Sequence, residues 1–261
     1  MNAPGWFRFT LVAGALAVLC LTGGATAQKP LNAQERDAIY RRAETVFDQA
    51  ALFKPAEPTS VGNIAVKLAP LFICELASTN AAEAQPASLR EVSFFEGEVV
   101  VGGKAHRQVS FVWKRPGSKR RGVRITLNLA GLPVIWEVLD ISTRAQVVFV
   151  SQNLDAAATR EFGTSLPGRR FAVERAVGET PDVVVARVND EAPVAMGPIV
   201  HLDGRGKITT VNCRCMTTQA RHLVGTANYE LKLLSAPTNG KREILGTNCG
   251  IGEKLRLPPA F

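Results

Sequence analysis

From Asn32 to Phe53 the apolar positions Ile39, Ala43, Val46, Phe47, Ala50 and Phe53 recur every three or four residues, the spacing of one helix face. Asn32 and Glu35 stand in the relation of a capping box, so the pattern predicts an amphipathic helix over residues 33–53. Pro55 and Pro58 close it. Ser60 then offers a cap, and Ile64, Leu68, Leu71 and Phe72 form a second helical stripe, interrupted by Pro70 and ending at Cys74. The alanine-rich, polar stretch from Ala77 to Ala87 reads as a surface connection.

Beyond Leu89 the period changes to two. Residues 91–101 and 107–113 flank Gly102-Gly103, a pair suited to a tight hairpin turn, and Val123, Ile125, Leu127 and Leu129 alternate with polar neighbours. Strands are further expected over 132–139 and 145–150, followed by a short helix over 154–162 that Gly163 stops. Later strands are expected at 171–174, 183–188 and 207–213, and at 225–234 paired with 242–245 across Asn239-Gly240. The fold class this implies is α+β: an antiparallel β-sheet body over 89–261 with two N-terminal helices of residues 28–88 packed on it, the two forming one domain.

A third pattern precedes both. Arg8 is followed by an apolar run from Phe9 to Leu21 and then by Ala25-Thr26-Ala27, the layout of a secretory signal peptide over residues 1–27 with the mature chain starting at Gln28. The run is too short for a membrane-spanning helix, and no second apolar stretch of that length follows. A periplasmic or extracellular location is therefore expected. Cleavage removes Arg8 and lowers the formal charge from +8 to +7. With 46% hydrophobic and 21% charged residues the chain has the composition of a globular protein and not of a disordered one. Its basic character favours acidic partners, such as an acidic envelope polymer or an anionic surface, and the export address argues against nucleic acid.

Export gives the cysteines their meaning. Cys20 leaves with the leader, and Cys74, Cys213, Cys215 and Cys249 remain, an even number suited to two disulfides. On a strand Cys213 and Cys215 share a face some 6–7 Å apart, which disfavours a bond between them; pairing each with Cys74 or Cys249 would tie both ends of the chain to one strand. Closing such long loops contributes on the order of 4 kcal/mol. The competing reading is a thiol-redox or soft-metal site for copper or zinc, built on Cys213 and Cys215 and completed by His222 and Cys249.

Three other features bear on function. Lys114, Arg115, Lys119, Arg120 and Arg121 form a basic hairpin tip that would engage a polyanion if it is more than a solvated turn. Glu137 sits in a strand apolar on both faces, where it must pair with a cation or change its protonation; Asp140 falls on the other face and makes no carboxylate pair with it. His106 and His201 read as ordinary histidines near strand ends. Nucleophile elbow, zinc-protease, P-loop and dinucleotide-binding signatures are all missing. The sequence thus leads to a non-enzymatic, disulfide-braced binding or structural domain of the cell envelope without a cofactor, with the thiol or metal protein as the alternative.

Overall fold

The computed structural model describes residues 30–56, 63–76, 89–114, 120–140, 145–178, 182–215, 218–234, 250–259 and 261. The leader, the connection after Leu76, Arg115, Lys119, Cys249 and the strand expected at 242–245 lie outside these residues.

The described chain is mostly sheet. Its strands are β1 (Phe47–Pro55), β2 (Leu71–Glu75), β3 (Glu91–Val101), β4 (Lys104–Trp113), β5 (Arg121–Leu127), β6 (Pro133–Leu139), β7 (Gln146–Ser151), β8 (Val183–Asn189), β9 (Ile199–Leu202), β10 (Ile208–Asn212) and β11 (Ala220–Leu233). They form one sheet in the order β10-β9-β2-β1-β11-β3-β4-β5-β6-β7-β8. Helices are short: α1 (Ala33–Ala43), the single turn α2 (Ile64–Lys67), α3 (Gln152–Phe162) and α4 (Ile251–Lys254).

The expected α+β class is overturned on both counts. The sheet is mixed, since β1 and β11, β11 and β3, β2 and β9, and β7 and β8 all run parallel. The two N-terminal helices are not there either. The Asn32 capping box forms, its side chain accepting from Glu35 N–H while Glu35 reaches back to Asn32 N–H, but α1 ends at Ala43 and the rest of the stripe becomes β1. In β1, Ala51 and Phe53 face the central core while Ala50 and Leu52 face an outer cluster with Ile73 and Ile199. A strand buried on both faces reads as a dense apolar run, which spacing does not separate from a helix. Pro70 ends the second stripe, so only Ile64–Lys67 turns as helix, capped by Asn63, and Leu71–Glu75 crosses the sheet as β2.

The sheet curls into a nearly closed, barrel-like body. Its two edges come together where Asn189 Nδ2 of β8 donates to the Val211 carbonyl of β10 at 2.9 Å. All eleven strands send side chains into one filled interior that includes Phe72, Phe111, Trp113, Trp136, Phe149 and Tyr229, with Leu68 and Ala69 closing it from the α2 side. Each such aromatic contributes roughly 1.5–3 kcal/mol of burial.

The hairpin expected across Gly102-Gly103 is present. Gly102 and Gly103 have φ of 57° and 77°, the left-handed values a two-residue turn between β3 and β4 needs. Ser151 caps α3 and Gly163 ends it at φ 81°. Residues 171–174 are not a strand: Glu174 makes one isolated bridge, to Leu255, and its carboxylate instead accepts N–H groups from Arg170, Phe171 and Val185. Ile199–Leu202 is a strand the alternation did not single out, because all four residues are buried.

The segment between α2 and β2 is where distant parts of the chain meet. Gly197 N–H donates to Lys67 O at 3.0 Å, Leu71 N–H to Pro198 O at 2.9 Å, and the Tyr229 hydroxyl to Pro70 O at 2.6 Å. The Arg214 guanidinium donates to Ala69 O.

Candidate functional site

The basic tip borders a pocket. Where β3, β4 and β11 end together, Glu91, Ser93, Val112, Trp113, Lys114, Arg120 and Leu234 line a space of about 270 Å³. β3 and β11 run parallel from Glu91 opposite Glu230, and Leu234 N–H donates to Phe94 O at 2.8 Å, so the end of β11 forms the wall facing β4. Trp113 is 3% exposed and packs edge-on against Phe72 at 4.8 Å, which in turn meets Tyr229 at 5.5 Å. Burial pushes the Tyr229 phenol well above its ordinary value, with Arg214 opposing the shift. Lys114 and Arg120 are exposed at the rim, while Glu91 holds Lys232 at 2.7 Å.

Arg121, the fifth residue of the tip, is turned away. Its Nε donates to Asp140 at 3.2 Å and its Nη1 to Gly206 O at 2.9 Å, tying β5 to the β9–β10 turn. The sequence marked the cations but not Glu91, Ser93, Trp113 or Leu234. No local pattern brings the end of β11 against β3, because the pairing spans most of the body.

The cysteines take an arrangement the sequence argued against. β10 ends at Asn212, one residue earlier than expected, and a turn then brings Cys213 and Cys215 together in a disulfide with Cα atoms 5.3 Å apart. The objection to a direct bond assumed an extended strand, and it lapses in a turn. Cys213 is 2% exposed whereas Cys215 faces solvent. Cys215 N–H donates to Cys213 Sγ at 3.4 Å, and Cys215 Sγ lies 3.5 Å from Glu191 O. A bond across two residues removes little unfolded-state entropy, about 1.5 kcal/mol, against the order of 4 kcal/mol for the long loops. This disulfide is therefore not a brace between chain ends. Cys74 is buried in β2, and His222 is exposed on β11 opposite Gln49. Among the described residues no three His, Cys, Asp or Glu side chains converge as metal ligands.

His201 and its neighbours form a polar seam in β9 and β10 that the sequence did not reveal. His201 pairs with Thr210 across the strands, accepts the Gln219 N–H on Nε2 at 3.1 Å, and is fully buried. Burial, reinforced by the Arg187 charge, lowers its pKa to about 4, so it is neutral with the proton on Nδ1. His201 Nδ1, Asn189 Oδ1, Asn212 Nδ2 and Gln219 Oε1 are all buried without a hydrogen-bond partner among the described residues. His106 is buried as well, 3.0 Å from Leu127 O through Nδ1 and stacked on Phe261 at 4.3 Å. The nearness of both to strand ends concealed this burial.

Glu137 is fully buried in β6 and surrounded by donors and cations. Oε1 accepts from Gln146 at 2.7 Å and from Lys254 at 3.3 Å, and Arg124 lies 3.6 Å from Oε2. A second buried network lies beneath α1: Arg169 pairs with Asp182 at 2.8 Å and Glu174 at 3.9 Å and donates to three carbonyls. Burial raises the Glu174 pKa against the pull of its backbone donors and Arg169. Both networks hold elements together across the sheet. None of the described helices is long and apolar enough to cross a membrane. No family model, curated protein or solved structure matches this chain.

Proposed function

We propose that this chain is an exported, non-enzymatic binding domain whose rim pocket receives an anionic group of an acidic envelope polymer or another anionic surface. The observation that carries the reading is a depression at the rim of the barrel-like sheet where Lys114 and Arg120 stand exposed beside Trp113. A space of about 270 Å³ suits a single carboxylated sugar or phosphate unit rather than an extended ligand, so the rest of a polymer would run over the surface. Arg8, the apolar run and Ala25-Thr26-Ala27 support export.

The test is a binding titration with polygalacturonate and inorganic polyphosphate as separate probes, at about 50 and about 200 mM salt, on the exported protein and its K114E/R120E variant. The reading expects one probe to bind more weakly at the higher salt and roughly tenfold more weakly to the variant. No binding to either, or binding unchanged by the double substitution, rejects it.

A further inference from the structure

We propose that Cys213 and Cys215 form a dithiol–disulfide exchange centre that reacts with a thiol of another molecule, Cys215 being the sulfur attacked. Three observations converge. The bond joins neighbours in one turn, so opening it releases no distant part of the chain. The turn keeps its anchor in either state, because Arg214 between the two cysteines is held by the Ala69 carbonyl. The two sulfurs are also unequal: Cys215 is open to solvent, whereas Cys213 is buried and receives the Cys215 N–H.

That inequality sets the course of the reaction. An external thiolate attacks Cys215 Sγ, the Cys213–Cys215 bond breaks, and a mixed disulfide forms at Cys215 while Cys213 leaves as a thiolate facing the Cys215 N–H. A second external thiolate then attacks the incoming partner's sulfur and releases Cys215. The two cysteines are reduced by two electrons and two external thiols become one disulfide. Run backwards, the same steps let the dithiol reduce a partner's disulfide. Reactive pairs of this kind need one accessible sulfur and one stabilised leaving thiolate.

The experiment uses the full chain, expressed with its leader in an exporting host and kept folded. It is equilibrated with graded ratios of reduced to oxidised glutathione, acid-quenched and alkylated, and each cysteine is assigned by peptide mass while circular dichroism follows the fold. The expected result is a two-electron transition of the Cys213–Cys215 pair with the fold unchanged. In C213S a glutathione adduct should form at Cys215 at least tenfold faster than one forms at Cys213 in C215S. A pair untouched by glutathione until the protein unfolds overturns the proposal. So do unfolding on reduction, equal adduct rates in the two variants, or either cysteine bonded to Cys74 or Cys249. Should a variant not fold, the wild-type transition and its dichroism decide alone.

Discussion

The strands β3 to β7 and the strands β10, β9, β2, β1 and β11 belong to one sheet but are assembled in opposite ways. From β3 to β7 each strand pairs antiparallel with the next in sequence, and Gly102-Gly103 shows the turn chemistry that makes this local. In the other set, Phe47 lies opposite Ala220 and Leu71 opposite Ile199, with parallel pairing in both cases. The first set closes short loops that its turns predispose. The second joins its two antiparallel pairs, β1–β2 and β9–β10, through parallel pairings of distant segments, so it pays loop-closure entropy at those and must recover that cost at crossing points such as the Lys67–Leu71 segment. Sensitivity to substitution should therefore concentrate where the chain crosses itself rather than where it turns.

The sharpest way to break that contrast is Gly197→Ala. A Cβ at Gly197 would fall on the Leu68 and Ala69 carbonyls, backbone that has no side chain to swing aside. We expect a loss of about 3 kcal/mol or more, read as a lower urea midpoint at unchanged slope. A loss below about 1 kcal/mol would mean that the crossing is slack.

The next effect is pH-dependent and also lies in the crossing set. His201 titrates near 4 when folded and at the ordinary 6.5 when unfolded, so the unfolded chain binds the proton first as pH falls. Its contribution is whole above pH 6.5 and is lost as pH drops through the folded value near 4, by up to about 3 kcal/mol. Urea midpoints at intervals between pH 7 and 4 would show this slope, and H201Q should flatten it. An unaltered slope in that variant would place the pH sensitivity elsewhere.

The smallest effect belongs to the hairpin set. Gly103→Ala meets no neighbour within 4 Å, so only its φ of 77° resists the change. About 1 kcal/mol of destabilisation is expected, with the β3–β4 register kept, as amide exchange protection across the pair would show.

The same division explains what could be read from the chain alone. Gly102-Gly103, the alternation of Val123, Ile125 and Leu127, and Gly163 after α3 are local signals, and each element they mark is in the structure. Phe47 to Phe53 misled because burial on both faces of a strand erases the period of two. Nothing near Leu71 or Ile199 announces that the two will pair. The site divides likewise: Lys114, Arg120 and the Cys213/Cys215 spacing stand out in sequence. The far wall of the pocket at Glu91 and Leu234, and the contact of Arg214 with Ala69, depend on pairings that no local pattern encodes.

β11 carries one more consequence. It fills the place between β1 and β3, yet it is synthesised after every other described strand. An emerging chain can therefore zip β3 through β7 early, while β1, made first, waits for residues 220–229 before it has both neighbours. Through most of synthesis β1 can pair with β2 on one side while its other edge stays open. The strand order thus delays locking of the fold until nearly the whole chain has been delivered, whichever side of a membrane that delivery reaches.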